Sequence, residues 1–356
     1  MSDSNYRIGI DVGGTFTDIV AVSDEGTVVF SKAPSTPADP SIGVMDAIER
    51  LSHELETDSA GLLSRTERIV HGTTVATNAL LERKGAKTGL LTTIGHRDVL
   101  EMREGLKEDR YNMRLAAPET LVPRYLRLGV KERIRPDGSV HIPLDNRSLD
   151  AAIEKLREAK VTSIAVCYLH AYKEAKHEKE TRSRIESKLP GVSVSLSSEV
   201  FPEIKEYERV STTVVNAYVR PVVEKYLRKL GDRLSDTGYI GPVLIILSHG
   251  GVAPIDEAVR LAAGTVLSGP AGGVAGSRYG SSLIGAENLV PFDMGGTSTD
   301  ISMIVNGEPA LSSTRGIAGQ RVALQSLDIV SIASGGGSIA RVDTVSYTHL
   351  TLPTKA

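Results

Sequence analysis

Polar and apolar residues alternate in short runs near the N-terminus. Arg7 to Val12 (RIGIDV) and Thr17 to Val22 carry the two-residue period of half-buried strands, with Gly13-Gly14 as the turn between them. A third run, Thr27 to Ala33, follows the Glu25-Gly26 turn and predicts an antiparallel meander. The period then lengthens: Ile42, Met45, Ile48, Leu51 and Leu55 recur at steps of three and four, an amphipathic helix entered at Pro40. Strands at Ile69-Val70 and Thr88 to Thr92 flank a helix from Ala76 to Arg83. Asp137-Gly138 turns a hairpin between Val130 to Ile134 and Val140 to Ile142, and charged helices at Ser148 to Ala159 and Ala175 to Lys188 enclose the apolar strand Ser163 to Cys167. Glu206 to Leu234 is helical, with Pro221 expected to kink it or start a new helix. A strand at Val243 to Leu247, a helix at Ile255 to Ala263, a Gly/Ala-rich helix at Gly269 to Gly285 and a strand at Leu289 to Met294 complete the pattern. Strand alternating with helix is the α/β class, and we place a lobe boundary near residue 200, giving lobes 1–200 and 201–343.

Composition narrows the possibilities. The 356 residues suffice for two domains, and 40% hydrophobic content gives each a core. Lys+Arg number 41 against Asp+Glu 44, a net charge of −3 with both signs scattered, so no footprint for nucleic acid is present. The single cysteine, Cys167, excludes an internal disulfide and a multi-cysteine metal site, and it suits a reducing compartment, so the expected location is cytoplasmic. No signal-peptide layout and no run of 18 apolar residues is present, which predicts no membrane partner. The 34 glycines gather in doublets and triplets rather than spreading as a linker.

Two of those clusters repeat. Residues 11 to 18 read DVGGTFTD and residues 293 to 300 read DMGGTSTD, six of eight positions identical, each placed between two apolar runs. A Gly-Gly turn lets the main chain approach a ligand, and its amides with the threonine hydroxyls suit phosphate oxygens. The leading carboxylates, Asp11 and Asp293, fit Mg²⁺ held through water or orientation of an attacking oxygen. Two such cradles face to face would hold one nucleoside triphosphate between lobes. Neither GxxxxGK[ST] nor a strand-following GxGxxG occurs, so neither a Walker nor a Rossmann site is expected. A plain tight hairpin is the competing explanation of each Gly-Gly.

These cradles, together with HGTTVATNALLERKGAKTGLLTT (His71 to Thr93), EYERVSTTVVNAYVRPVVEKYL (Glu206 to Leu227) and SGPAGGVAG (Ser268 to Gly276), resemble the hydantoinase/oxoprolinase family from about Arg7 to Asp343. The resemblance implies a two-lobed actin-like ATPase fold with ribonuclease H-like lobes. It implies phosphorylation by ATP, with Mg²⁺, of the amide oxygen of a lactam such as a hydantoin or 5-oxoproline to drive ring opening. The ATP-using subunit of an acetone- or acetophenone-type carboxylase, acting on a ketone, is the alternative that Glu101 to Ile134 suits equally, and a non-catalytic actin-like nucleotide-binding module is a third. A second, hydantoinase B-type subunit is implied as partner. Carried over by position, Asp11, Gly13, Gly14, Thr15 and Thr17 match the first phosphate loop, Asp293, Gly295, Gly296 and Thr297 the second, and Gly335, Gly336 and Gly337 a loop near adenosine. His71, Thr73 and Thr74 are expected to face substrate or phosphate. After Asp343 the sequence TVSYTHLTLPTKA departs from the family and reads as a non-native tail without strand periodicity, leaving the second lobe incomplete.

Other constellations are weaker. His170 and His177, near Tyr168 and Glu178, lack zinc-ligand spacing and read as solvated or capping residues. His249 beside Gly250-Gly251 has no assigned role. Cys167 follows an apolar run and reads as a buried, inert thiol, and no GxSxG elbow is present, so covalent hydrolysis is not expected.

Overall fold

The computed structural model describes residues 4–105, 111–116, 118–295, 299–332, 334–342 and 348–351. The N-terminal alternation produces the meander. Strands β1 (Tyr6–Val12), β2 (Phe16–Ser23) and β3 (Val28–Pro34) pair antiparallel in sequence order. Tyr6, Ile8, Ile10 and Val12 of β1 point into the core while the intervening residues face outward or sit at the boundary. Strand β4 (Thr66–Thr73) lies parallel to β1, Val243–Ile246 lies parallel to β4, and Val252–Pro254 closes that edge antiparallel. The resulting six-stranded sheet thus takes two strands from beyond residue 200, so the unit that carries the first glycine turn extends at least to residue 254.

A second, four-stranded sheet is entirely parallel, in the order Ser193–Leu196, Ser163–Cys167, Thr88–Thr93, Arg127–Val130. Every residue of Thr88–Thr93 and Ser163–Cys167 is buried, as expected when helices cover both faces of a parallel sheet. The expected hairpin around Asp137-Gly138 shrinks to Arg133–Ile134 against Val140–Ile142, because Val130 belongs to the parallel sheet.

The helix Glu206–Asp236 joins these two sheets. It is a single element of 31 residues that continues through Pro221, so no new helix begins there. Buried residues on both sides of the proline (Ala217, Val219, Val223, Leu227) hold the helix in one piece, offsetting the hydrogen bond a proline cannot donate. It packs on the helices Pro40–Glu54 and Val75–Leu81 and on three strands of the parallel sheet, and one buried apolar cluster runs through both sheets.

The helix Ser268–Ile284 then leads to a three-stranded antiparallel sheet of Phe292–Met294, Thr299–Ser302 and Ile329–Ile332, with a small core of its own around Ala271, Val274, Ile304, Leu327 and Ile329. The segment read as a tail without strand character contributes Thr348–Thr351, paired antiparallel with Ile339–Val342, which corrects that expectation. Among the described residues no helix is long and apolar enough to cross a membrane.

Candidate active site

The two copies of the repeat fold identically in register. Asp11 stands opposite Asp18 and Val12 opposite Thr17 in one hairpin; Asp293 stands opposite Asp300 and Met294 opposite Thr299 in the other. Directly opposed like charges disfavour a strand pair, yet each hairpin keeps such a pair. The threonines beside these acids are turned inward. Thr17 and Thr299 are both fully buried; Thr17 Oγ1 lies 3.3 Å from Ser35 Oγ, and Thr299 Oγ1 donates to the Ser334 carbonyl at 2.5 Å. Thr17 therefore braces the loop from within the fold.

Ser35, which sequence reasoning missed, does the bracing. Its Oγ donates to the Gly13 carbonyl at 2.8 Å and its amide donates to the Thr15 carbonyl at 2.9 Å. The Gly13 amide is used inside the turn, donating to the Phe16 carbonyl at 3.0 Å. Neither Gly13 nor Gly14 has a positive φ, so left-handed turn geometry does not require either glycine. A Cβ on Gly14 would meet nothing within 4 Å. The protein itself leaves room for a side chain there.

The two hairpins lie against one helix, with their acids within electrostatic reach of each other. Asp11 is open to solvent, yet its carboxyl is pushed up to about 6, first by the protein crowding it, then by the negative charges of Asp18 and of Asp293. The helix Ser268–Ile284 bridges the two acids: a Cβ at Gly269 would stand 3.7 Å from Asp11 Oδ1, and one at Gly273 would stand 3.5 Å from Asp293 Oδ2. These glycines are four residues apart and so share one helix face. A Cβ on Gly72 would lie 3.1 Å from the same Asp11 oxygen, so β4 also presses main chain against that carboxylate. From the other side, Gly336 N donates to the Gly295 carbonyl at 2.9 Å, joining the triple-glycine segment to the second hairpin, and Gly335 N donates to Ser338 Oγ at 2.9 Å. Gly296 and Thr297 lie outside the described residues.

A cavity of about 540 Å³ adjoins the first turn, lined among others by Val12, Gly13, Gly14, Thr74, Val75 and Tyr226. Of the three residues expected to face substrate, Thr74 lines it, with Oγ1 donating to the Val12 carbonyl at 3.0 Å. Thr73 is fully buried and its carbonyl accepts from Ser268 Oγ at 2.9 Å. His71 is not among the residues lining this cavity: its ring is fully buried, and Nε2 lies 2.7 Å from the Tyr226 hydroxyl. Burial pushes His71 down to about 4 against a smaller pull from the Ile10 backbone, so the ring is neutral at physiological pH and reaches the cavity through Tyr226. Asp39 and Lys229 line the same wall at 2.8 Å from each other, and this hydrogen bond, aided by Ser41, holds the Asp39 carboxyl at about 2.

Among the described residues no group of three or more His, Cys, Asp and Glu is placed to ligate a metal. Two facing carboxylates with mutual repulsion suit Mg²⁺, which is bound through one or two carboxylates, waters and substrate phosphates. The remaining candidates do not line that cavity. His177 is buried with Nδ1 2.8 Å from Glu132 Oε2, which corrects its reading as a solvated residue. His170 pairs its Nδ1 with the Tyr172 hydroxyl at 3.4 Å, His249 Nδ1 accepts from Gly251 N at 3.1 Å, and burial pushes the Cys167 thiol up to about 11, away from reactivity.

The family model described as Hydantoinase/oxoprolinase N-terminal region matches residues 7–189, and that described as Hydantoinase/oxoprolinase matches residues 209–350, past the limit at Asp343 drawn from sequence. Caprolactamase subunit alpha of Pseudomonas jessenii is 37% identical over 345 residues, 96% of this chain and 50% of that protein. Among solved structures, ATP-dependent caprolactamase from Pseudomonas jessenii has a TM-score of 0.86 at 35% identity, covering 97% of this chain and 50% of that one. Nucleotide-free acetone carboxylase has a TM-score of 0.86 at 29% identity, covering 98% and 51%. The fold is the α/β actin-like ATPase fold, and the chain spans about half the length of these relatives.

Proposed function

The chain belongs to the hydantoinase/oxoprolinase family, and from that premise we propose that it is the ATP-consuming part of an enzyme that phosphorylates the amide oxygen of a lactam to drive ring opening. The observation that carries this reading is that Asp11 and Asp293, from two hairpins of equal register, come within electrostatic reach of each other, each beside a glycine of the same helix. ATP with Mg²⁺ would supply the phosphoryl group and charge neutralisation. The residues of the chain bind and orient. The Gly14 and Thr15 amides, which make no hydrogen bond among the described residues, face the phosphates. Asp11 and Asp293 hold the hydrated cation, and Gly335 to Gly337 lie toward the nucleoside.

The cavity beside Gly13 and Gly14 is where the acceptor sits. Its volume takes a five- to seven-membered ring, its floor is apolar through Val12, Val75 and Ala79, and the Tyr226 hydroxyl, fixed by neutral His71, offers a polar contact. Phosphorylation would activate the ring for opening, and Cys167 takes no part as a nucleophile, being buried with its thiol held protonated. A hydrolytic partner subunit would complete the reaction.

The second reading is a carboxylase subunit that phosphorylates a ketone or bicarbonate. The equal structural likeness to acetone carboxylase and to caprolactamase favours neither. Phosphate release from ATP, measured with the partner subunit present, separates them. Stimulation by hydantoin, 5-oxoproline or caprolactam that disappears in Asp11→Ala and in Asp293→Ala is expected. Stimulation by acetone with bicarbonate and not by any lactam would replace the first reading with the second, and turnover retained in both variants would overturn either.

A further inference from the structure

All four strands of the parallel sheet end on one edge, and the chain reverses its direction of travel across that sheet. It passes from Thr88–Thr93 to the neighbour Arg127–Val130 on one side, then crosses back to Ser163–Cys167 on the other and continues outward to Ser193–Leu196. The reversal falls between Thr88–Thr93 and Ser163–Cys167. In open parallel sheets the crevice outside the carboxyl ends of the strands at such a reversal is where ligands bind. The loops that leave those two ends carry His96 and His170, and Arg133 follows just beyond Arg127–Val130.

Contacts fix these groups at the edge. The Ile94 amide donates to the Val130 carbonyl at 2.9 Å, and Arg133 Nη1 lies 3.3 Å from His96 Nε2. The Leu169 amide donates to Thr93 Oγ1 at 2.9 Å, which ties the second loop to the end of the neighbouring strand. His170 Nδ1 lies 3.4 Å from the Tyr172 hydroxyl, and the Arg209 guanidinium stands 5.6 Å over the Tyr172 ring. His170 also holds a φ of 57°, a left-handed conformation that costs a residue with a side chain. His96, Arg133 and His170 are half-buried. Among the described residues no hydrogen bond engages Nδ1 of His96 or Nε2 of His170, and no carboxylate lies within ion-pair distance of Arg133. Neither ring nitrogen is sealed from solvent, nor is any nitrogen of Arg133 left buried and unpaired.

The acids nearby are few or already engaged. Glu132 is buried, with Oε2 2.8 Å from His177 Nδ1 and Oε1 accepting from Thr93 Oγ1, so both its oxygens are occupied. Glu206, exposed in the first turn of the long helix, is the other acid within electrostatic reach of the rings. Burial is the larger cause that holds both histidines below their ordinary range; Arg133 adds to it at both, His170 at His96 and Arg209 at His170, while Glu206 opposes it at both and Glu132 at His170. Both rings are therefore neutral at pH 7. An oxyanion set between a guanidinium and two such rings gains charge-assisted hydrogen bonds when they take up protons. We propose that this edge binds a small oxyanion, a carboxylate or phosphate group, with Arg133, His96 and His170 as its direct contacts, and that binding draws protons onto the two histidines. None of the three lines the acceptor cavity or belongs to a glycine hairpin, so the proposal does not depend on the nucleotide reading.

Titration calorimetry of the whole chain with sulfate, and separately with oxalate, tests it and tells a tetrahedral oxyanion from a carboxylate. Neither probe changes charge between pH 6 and pH 8, so any pH dependence belongs to the protein. At least one is expected to bind, about tenfold or more tightly at pH 6 than at pH 8, with proton uptake read from buffers of different ionisation heat. Arg133→Met should weaken it about tenfold or more at either pH, and Arg133→Lys less. The double variant of His96→Asn and His170→Asn should bind with little pH dependence; asparagine accepts the left-handed backbone at position 170, so the turn is kept. Should Arg133→Met fail to fold, Arg133→Lys and the double variant carry the test. Anion held at the glycine hairpins instead would survive all these substitutions. Absence of binding by both probes, or binding whose strength and pH dependence the variants leave unchanged, would overturn the proposal.

Discussion

At Asp11, crowding of the carboxyl by the protein and two like charges act in the same direction, and the consequence for stability has a definite sign. A carboxyl whose folded-state value is raised to about 6 from 3.8 keeps its proton in the folded chain while the unfolded chain has released it. Stability from this group therefore falls as pH rises through that window. Asp11→Asn should melt higher than the parent at pH 7 to 8, with the difference closing near pH 4. Solvent access to the cleft keeps the effect to about 1 kcal/mol or less. His71 has the opposite sign. Its folded value near 4 lies below the ordinary 6.5, so its contribution is complete above pH 6.5 and is lost as pH falls toward 4. Urea titrations at a series of pH values should show roughly 3 kcal/mol of this loss in the parent, with a flatter profile in His71→Asn. Gly14 gives the cleanest separation of fold from function: Gly14→Ala has open space for its methyl, so its melting curve should match the parent while ATP affinity, followed by calorimetry, drops about tenfold or more. The burial of Thr17 was legible in the two-residue period, which sets it on the face of Ile19 and Ala21. The motif match directed attention to its hydroxyl instead. The His71–Tyr226 bond was not legible, because its partners lie 155 positions apart and no local pattern encodes such a pairing.

At the scale of elements, the repeated octapeptide carried its message well: equal sequence gave equal register, because the side-chain period of a strand fixes which residues oppose one another. The helix Ser268–Ile284 was readable as a helix with small residues. Its assignment to the acids was hidden, since the closeness of Gly269 and Gly273 to Asp11 and Asp293 depends on how the sheets dock. The parallel order of the second sheet was hidden for the same reason, and of the two outcomes expected at Pro221 a new helix is excluded, because the helix is buried on both sides of the proline. The long helix makes one sharp demand on its neighbours. Gly85 abuts Tyr218 so closely that an added Cβ would lie 2.1 Å from the ring. Gly85→Ala should therefore destabilise the chain by about 2 kcal/mol in denaturant titration, with the m-value unchanged if only packing is affected.

For the whole molecule, two hairpins of one design lie against one glycine-bearing helix, with a cavity beside the first turn, and the proposed function has them share one nucleotide. Both carboxylates are then required by a single bound nucleotide, and their contributions to its affinity cannot be independent. The most direct test is a double-mutant cycle in ATP·Mg²⁺ binding, measured by calorimetry on the parent, Asp11→Asn, Asp293→Asn and the double variant. We predict one nucleotide per chain and a loss in the double variant well short of the combined single losses. Two nucleotides per chain, or strictly additive losses, would contradict a shared site.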